Sequence, residues 1–234
     1  MKFHKFTEPD LHLFYSNTVK KEQSYLQKYD VLSNDDKIFL DNFLSHINYR
    51  WDVRDYGRVR AVLDFHEWVN KFEIKPERIA YTDQDDPELK LINFKNSSSI
   101  HYNGSNGDLH NIEYEDEFDF FLFNQTIEHL YNPFLCIYNI YKSLKPDGYV
   151  FTSVPTINIP HTTPIHYNGF NPMGLAMLFK SCGFNVLEIG QWGNYEYISK
   201  LFSNHQWPSY SSLSENGIKN EERNVAQCWI LAKK

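Results

Sequence analysis

Residues 118–155 decide the fold, and they read FDFFLFNQTIEHLYNPFLCIYNIYKSLKPDGYVFTSVP. The apolar run at 118–123 is typical of a strand that is covered on both faces. Apolar residues then recur at helical spacing over 130–145. A turn at 145–148 leads into a second apolar segment, 149–155. Strand, helix, turn and strand in this order predict a βαβ unit with a right-handed crossover.

The same alternation continues on both sides of this unit. Towards the N-terminus, the sequence predicts a strand at 78–82, a helix that starts at Pro87 and a weaker strand at 99–102. Towards the C-terminus, it predicts a helix over 174–181 with Gly183 as its cap. Two further strands are predicted at 184–189 and 227–232, and the polar segment 209–222 is predicted as a loop. This order predicts an α/β fold: a Rossmann-like, doubly wound and mainly parallel sheet with helices on both faces.

The first 70 or so residues have a different pattern. Ser33 is a suitable N-cap for a helix over 35–44. A second amphipathic helix is expected over 59–69, before Pro76. We therefore predict a helical N-terminal extension or lid over 1–75 and a Rossmann-like domain over 76–234.

Composition limits the classes of function. The chain has 234 residues, of which 41% are hydrophobic and 17% aromatic, so one sizeable core is expected. A net charge of −7 argues against a nucleic-acid partner. The three cysteines are scattered singly, which is typical of free thiols in a reducing compartment. No window is apolar enough for a membrane span, and the expected location is cytoplasmic.

In sheets of this kind, ligands bind beyond the carboxyl ends of the strands. The informative segments are therefore 82–86, 124–133 and 160–167, each of which follows a predicted strand. Five motifs resemble the later motifs of class I S-adenosylmethionine-dependent methyltransferases of type 11/23: the FD of the strand at 118–120, the EHL at 128–130, the NP at 132–133, the LKPDG at 144–148 and the SVP at 153–155. Segments 169–175, 182–184 and 191–194 are similar to members associated with sugar and polysaccharide modification. The resemblance covers about 76–234.

The resemblance implies an enzyme that transfers a methyl group from S-adenosylmethionine to an oxygen or nitrogen of a small-molecule or saccharide-linked acceptor. It implies that Asp108 accepts a hydrogen bond from the adenine amine. The alternative is that Asp108 is a turn residue bonded to its own backbone. The cofactor-binding residues implied by the resemblance are Thr82, Asp83, Asp85, Asp108, Leu109, Asn124, Gln125, Thr126 and His129.

The chain departs from the family pattern in its first loop. The family has a glycine-rich loop there, because the backbone must approach the cofactor closely. This chain has TDQDD over 82–86, with aspartates at both glycine positions. A carboxylate about 4 Å from that of the cofactor would cost on the order of 4 kcal/mol at a dielectric near 20. The acidic residue that usually grips the ribose is also missing near 102–104. A methyltransferase-like protein that no longer binds the cofactor is therefore the alternative function.

Two histidines are the candidate catalytic residues. His161 and His166 follow the strand at 149–155, and a neutral imidazole there could take a proton from a substrate hydroxyl. The alternative is that both are solvent-facing loop residues. No third ligand has convincing spacing for a metal site. Asp83 and Asp85 also match the D-x-D pattern of metal-dependent glycosyltransferases, which is a weaker alternative. The sequence does not specify the methyl acceptor, and it leaves open whether the protein forms a homodimer.

Overall fold

The computed structural model describes Leu13 and residues 32–45, 50–101, 108–161 and 165–234. The strands are β1 (Arg78–Tyr81), β2 (Asn96–Ser99), β3 (Phe118–Leu122), β4 (Leu144–Pro155), β5 (Asn185–Trp192) and β6 (Gln227–Lys233). The helices are α1 (Asn34–Ser45), α2 (Tyr56–Lys71), α3 (Pro133–Ser143), α4 (Pro172–Ser181) and α5 (Tyr195–Asn204). Short 3-10 helices lie at Trp51–Val53, Pro87–Lys90, Leu109–Asn111, Ile127–His129 and Tyr210–Ser212.

The six described strands form one sheet in the order β2-β1-β3-β4-β6-β5. β1 to β4 are parallel, and β6 runs antiparallel between β4 and β5. This topology confirms the predicted α/β fold with a mainly parallel sheet. The carboxyl ends of β1, β3 and β4 meet at one edge, where a ligand crevice is expected.

Both faces of the sheet are covered, as the apolar strands predicted. Neighbouring residues of β3 face opposite ways: Phe120 lies in the core beneath α2, and Phe121 lies in the core beneath α3 and α4. Both side chains are fully buried. A polar residue at either position would leave an unpaired group in a dry core, which explains why the fully buried positions of β3 are apolar.

The helices begin and end at residues whose chemistry explains the boundary. In α1, the Asp36 amide donates to Ser33 Oγ at 3.0 Å, and the Ser33 amide donates to Asp36 Oδ2 at 3.0 Å, which confirms Ser33 as the cap. In α3, Asn132 Oδ1 accepts from the Leu135 amide at 3.2 Å. After α4, Gly183 has φ +106°, and an added Cβ would come within 3.2 Å of the Tyr141 ring.

Helix α2 is part of the main core. It lies inside the range predicted as the extension, yet Phe65 and Trp68 are buried against Phe151 of β4. The division of the chain at residue 75 stays a prediction.

Three local predictions need correction, and one helix was missed. The strand expected at 99–102 is Asn96–Ser99, an exposed edge strand. The helix expected after Pro87 is a single 3-10 turn, Pro87–Lys90. The turn at 145–148 is a bulge within β4, since Leu144 pairs with Phe118 and Tyr149 pairs with Phe120. Helix α5 was not predicted.

The three cysteines are free and buried, as expected. Within the described ranges, we find no helix whose length and apolar character would let it cross a membrane.

Candidate functional site

A cavity of about 510 Å³ lies at the carboxyl edge of the sheet, between the loops after β1, β3 and β4 and the start of α2. This is the place where the topology predicts a ligand. Its lining is formed by Val53, Arg54, Asp55, Arg58, Asp83, Asp85, Asp86, Pro87, Gln125, Glu128, His129, Asn158, His161 and Trp207. Five of these residues are acids and two are arginines, so the cavity is rich in carboxylates.

The loop after β1 borders the cavity without filling it. Asp83 and Asp85 line the cavity and are exposed. Asp83 Oδ1 accepts from the Asp85 amide at 2.9 Å, which closes a turn of the kind that aspartate favours. The buried Thr82 lies behind them, with its Oγ1 3.0 Å from Thr126 Oγ1. Thr82 therefore joins the first and third strand loops, and the two aspartates face the open space.

A buried acidic pair lies next to this loop. Asp86 is 4% exposed and Glu88 is fully buried. Arg58 of α2 donates to Asp86 Oδ1 at 3.0 Å and lies 3.9 Å from Glu88 Oε2. Burial raises the pKa of Asp86 to about 6 and that of Glu88 to about 7, although Arg58 opposes both shifts. The pair therefore holds protons nearer to neutrality than ordinary acids do.

The loop after β3 is held by side-chain amides. Asn124 is buried, and its Oδ1 accepts from the Ser153 amide at 2.9 Å. Gln125 has φ +47°, and its Nε2 donates to Ser153 Oγ at 3.2 Å. Thr126 Oγ1 donates to the Asn124 carbonyl at 2.9 Å. Of these three residues, Gln125 lines the cavity, and the other two shape its loop from behind.

Glu128 lies on the single 3-10 turn that follows. Its side chain is 1% exposed and lines the cavity, and its Oε2 has no hydrogen-bond partner. Its backbone carbonyl accepts from the Tyr167 amide at 2.7 Å, which fixes the turn. Burial raises the pKa of Glu128 to about 8. A carboxyl group in such a place is strongly stabilised by any cation that reaches it.

Three histidines form a row beside Glu128. His161 Nε2 lies 3.2 Å from His129 Nε2, and His161 Nδ1 lies 3.4 Å from His166 Nδ1. Burial lowers the pKa of His129 and of His166, and both are lowered further by the neighbouring His161. His129 and His161 line the cavity, while His166 contacts His161 from behind. The alternative of solvent-facing loop residues therefore does not describe His161, which is part-buried within this row.

Asp108 and Leu109 lie apart from this cavity. Asp108 Oδ1 accepts from the His110 amide at 2.9 Å and lies 2.8 Å from His110 Nδ1, so it has the local turn role that we considered as the alternative. Leu109 is fully buried. Residues 102–107, which include the expected ribose position, lie outside the described residues. The adenine role of Asp108 stays a prediction.

Sequence reasoning missed several lining residues. Arg54, Asp55 and Arg58 lie at the start of α2, far along the chain from the strand loops. Trp207 follows α5, and its Nε1 donates to Asn158 Oδ1 at 2.9 Å across the cavity mouth. No short motif links these positions. Glu128 was visible within the EHL segment, but its burial was not. Among the described residues, no three His, Cys, Asp or Glu side chains are grouped so as to hold a metal ion.

Comparisons with known proteins agree with this architecture. Residues 62–152 match the family model of the methyltransferase domain. One similar solved structure is the 1,6-didemethyltoxoflavin N1-methyltransferase of Burkholderia thailandensis with bound 1,6-didemethyltoxoflavin and S-adenosylhomocysteine. The two chains are 13% identical with a TM-score of 0.50, over 92% of this chain and 89% of that one.

Another similar structure is a putative sarcosine dimethylglycine methyltransferase from Galdieria sulphuraria. It is 12% identical with a TM-score of 0.51, over 75% of this chain and 86% of that one. A comparison with curated proteins gave no match. At these identities, the structural likeness shows the fold alone.

The fold, with its ligand crevice at the carboxyl edge, is that of the class I S-adenosylmethionine-dependent methyltransferases. Residues 62–152, which match the family model of the methyltransferase domain, supply half of the residues that line the crevice.

Proposed function

We propose that this protein transfers a methyl group from S-adenosylmethionine to an oxygen or nitrogen of a small-molecule or saccharide-linked acceptor. The observation that carries the proposal is the acid-rich cavity at the carboxyl ends of β1, β3 and β4 in a chain with a methyltransferase domain. The cavity is large enough for a small ligand, since such sites usually measure about 300–1,000 Å³.

The residues of the cavity fit the charges of this cofactor. S-adenosylmethionine carries a cationic sulfonium, an ammonium and a carboxylate. Asp83 and Asp85 are exposed to the cavity and would attract the two cationic groups. Arg54 and Arg58 also line it and offer a positive partner for the carboxylate. The aspartates that replace glycines would thus pair with the cationic groups, and the repulsion expected from the sequence would be offset.

The bound cofactor supplies an electrophilic methyl group, and the chain's own residues have the remaining tasks. Thr82, Asn124 and Thr126 hold the two strand loops in place through hydrogen bonds. Gln125 and His129 would line the donor side. Catalysis would rest mainly on alignment of the reacting atoms, with proton removal secondary. His161, with His166 behind it, is the residue we assign to proton removal from the acceptor.

Calorimetric titration with S-adenosylmethionine and S-adenosylhomocysteine tests the proposal. We expect saturable micromolar binding of both compounds. The site variant Asp85→Lys should lose binding, because it adds a cation beside the sulfonium. The control Glu215→Lys changes an exposed acid outside the cavity and should bind normally.

Absence of binding to the folded wild-type protein would overturn the proposal and support the alternative, a methyltransferase-like protein without cofactor. Manganese-dependent binding of a sugar nucleotide would instead support the glycosyltransferase alternative.

A further inference from the structure

Two carboxylates that line the cavity have oxygens without a hydrogen-bond partner. Glu128 is 1% exposed and Asp86 is 4% exposed, and both line the cavity. Glu128 Oε2 and Asp86 Oδ2 have no hydrogen-bond partner. Buried polar atoms are nearly always paired in folded proteins, so a buried, unpaired oxygen on each of two carboxylates that line one cavity indicates a missing ligand group.

The charges around these oxygens indicate whether the missing ligand group is a cation or an anion. Arg58 donates to the other oxygen of Asp86, Oδ1. The ring of His129 has its Nε2 3.9 Å from Glu128 Oε1, but burial lowers the pKa of His129, so the ring is neutral near pH 7. Glu128 thus has no full positive charge in hydrogen-bond contact. A ligand that donates hydrogen bonds and carries positive charge suits both acids.

The exposed part of the cavity lining is aromatic and apolar. Trp207 lines the mouth, its side chain is 46% exposed, and the hydrogen bond from its Nε1 to Asn158 fixes the indole. Val53, also 49% exposed, lines the same cavity. The His161 ring lies 6.0 Å from the indole at a steep angle. A fixed indole ring favours contact with an apolar or aromatic part of a ligand. Its face also attracts a cation through a cation–π interaction.

We propose that the methyl acceptor is a small amine with an apolar or aromatic body, held as an ammonium between Glu128 and Asp86 with its body against Trp207 and Val53. The assignment rests on the proposed methyltransferase function and narrows its acceptor to nitrogen. The two acids favour this ammonium over a neutral alcohol of the same shape, and they repel a carboxylate of the same shape.

The reaction balances with the groups present and the proposed cofactor. For this amine acceptor, Glu128 takes the role of proton acceptor that was assigned to His161. The ammonium gives one proton to the carboxylate of Glu128, which frees the nitrogen lone pair. The nitrogen then forms a bond to the methyl carbon as the carbon–sulfur bond breaks and its electron pair stays on sulfur. The product is a methylated ammonium, and Glu128 returns its proton to solvent after release.

Three probes of one shape test the assignment: 2-phenylethylamine, 2-phenylethanol and phenylacetate. Each is titrated by calorimetry into the full chain saturated with S-adenosylhomocysteine, and tryptophan fluorescence is recorded in parallel. We expect the amine to bind at least about tenfold more tightly than the alcohol, as one charge-assisted hydrogen bond warrants, and phenylacetate to give no saturation.

The variant Glu128→Gln keeps the shape of the side chain and removes its charge. We expect it to lose the preference for the amine over the alcohol. The control Glu215→Gln removes an exposed charge that does not line the cavity, and it should keep that preference. Circular dichroism checks that both variants fold.

Each result has one meaning. Equal binding of amine and alcohol to the wild type, or an unchanged preference in Glu128→Gln, overturns the amine assignment and leaves the methyltransferase proposal intact. If Glu128→Gln weakens S-adenosylhomocysteine itself by tenfold, then Glu128 serves the cofactor's ammonium and the acceptor assignment is also overturned. If the wild type does not bind S-adenosylhomocysteine, the methyltransferase proposal fails, and the acceptor assignment fails with it.

Discussion

His161 Nε2 lies 3.2 Å from Nε2 of His129, and each of these two rings also faces a backbone carbonyl through its Nδ1. His129 Nδ1 lies 3.0 Å from the Ile165 carbonyl, and His161 Nδ1 lies 3.1 Å from the Ile159 carbonyl. A carbonyl can only accept, so both Nδ1 atoms carry a proton. In neutral rings the two facing Nε2 atoms are then both acceptors, and a hydrogen bond between them forms only when one ring takes a further proton. His166 Nδ1 lies 3.4 Å from His161 Nδ1 and completes the row.

The surroundings of the two outer rings, His129 and His166, predict their protonation state. Burial is the main cause of the lowered pKa of His129 and His166, and His161 adds to it. Both rings should be neutral at pH 7. In His161→Gln, both pKa values should rise slightly and stay below the ordinary value of about 6.5, because burial remains. Proton–nitrogen correlation NMR across pH 4–8 measures this.

The variant His205→Gln is the control for that measurement, since His205 lies on an exposed turn after α5. It should leave both titrations unchanged. Normal titration of His129 in the wild type would contradict the burial that the structure describes.

Stability should depend on Glu128 in a pH-specific way. Burial raises the pKa of Glu128 in the folded state to about 8, while its pKa in the unfolded chain is close to the ordinary value of 4.5. Between these values, the folded state binds more protons than the unfolded state, so stability falls as pH rises. Glu128→Gln removes this loss. We expect equal melting temperatures for variant and wild type at pH 4.5, and a melting temperature at least about 3 °C higher for the variant at pH 8.

Asp86 and Glu88 also have raised pKa values, and both remain in the variant. The loss of stability with rising pH should therefore be smaller in the variant than in the wild type, but still present. Glu215→Gln should match the wild type at both pH values. If the difference in melting temperature between Glu128→Gln and the wild type does not grow with pH, then Glu128 titrates normally.

Asp85 should favour the sulfonium over the neutral thioether. Asp85→Asn keeps the Asp83 turn, because Asp85 contributes only its backbone amide to that turn. An ion pair exposed to solvent contributes ~0.6 kcal/mol to binding. Removal of the Asp85 charge should therefore lower the preference for S-adenosylmethionine over S-adenosylhomocysteine by roughly threefold. Calorimetry at low and high salt measures it, and the difference should shrink at high salt.

Asp116→Asn provides the matched control, since Asp116 pairs with Lys234 outside the cavity. An unchanged preference in Asp85→Asn would mean that the aspartates of the first loop do not face the sulfonium.

The close approach of β5 to β6 should make Gly190 intolerant of substitution. A Cβ there would overlap the Trp229 indole and come within 2.9 Å of Asp64 Oδ2. Trp229 Nε1 donates to that same oxygen at 2.7 Å, and both residues are buried. Gly190→Ala should therefore lower the free energy of unfolding by about 3 kcal/mol, measured by urea denaturation.

Gly174→Ala is the comparison variant, because the nearest atom to its added Cβ is Asn171 Oδ1 at 3.3 Å, and the site is helical. It should change the free energy of unfolding by less than about 1 kcal/mol. A small effect at Gly190 would contradict the packing of Trp229 on Asp64.

The predicted elements that were confirmed are those with local signals. β3, α3 and the apolar part of β4 follow from apolar spacing, and α1 begins at a residue that caps it. Those that were wrong depend on distant contacts. β2 is made of four polar, mostly exposed residues that pair with β1, so no hydrophobic pattern indicates it. Helix α5 is held by Tyr197, whose hydroxyl donates to Asp55 at 2.6 Å from 142 positions away.

Some of the predicted site residues line the cavity, and others lie behind its lining or elsewhere. Asp83, Asp85, Gln125, His129 and His161 were predicted and line the cavity, because each follows a parallel strand and such ends meet at one edge. Thr82, Asn124, Thr126 and His166 lie behind the lining as hydrogen-bonding or ring partners. Asp108 and Leu109 lie elsewhere among the described residues.

By itself, the sequence determined the α/β class, the strand ends that carry the site and the replacement of glycines by aspartates, since these depend on local periodicity and residue type. Only the tertiary structure decided that Arg58 and Trp207 join the cavity and that Glu128 and Asp86 are buried in it with unpaired oxygens. Burial and charge pairing arise where segments distant in the chain meet. The chemistry of a carboxylate depends on that surrounding medium, which is absent from the order of residues.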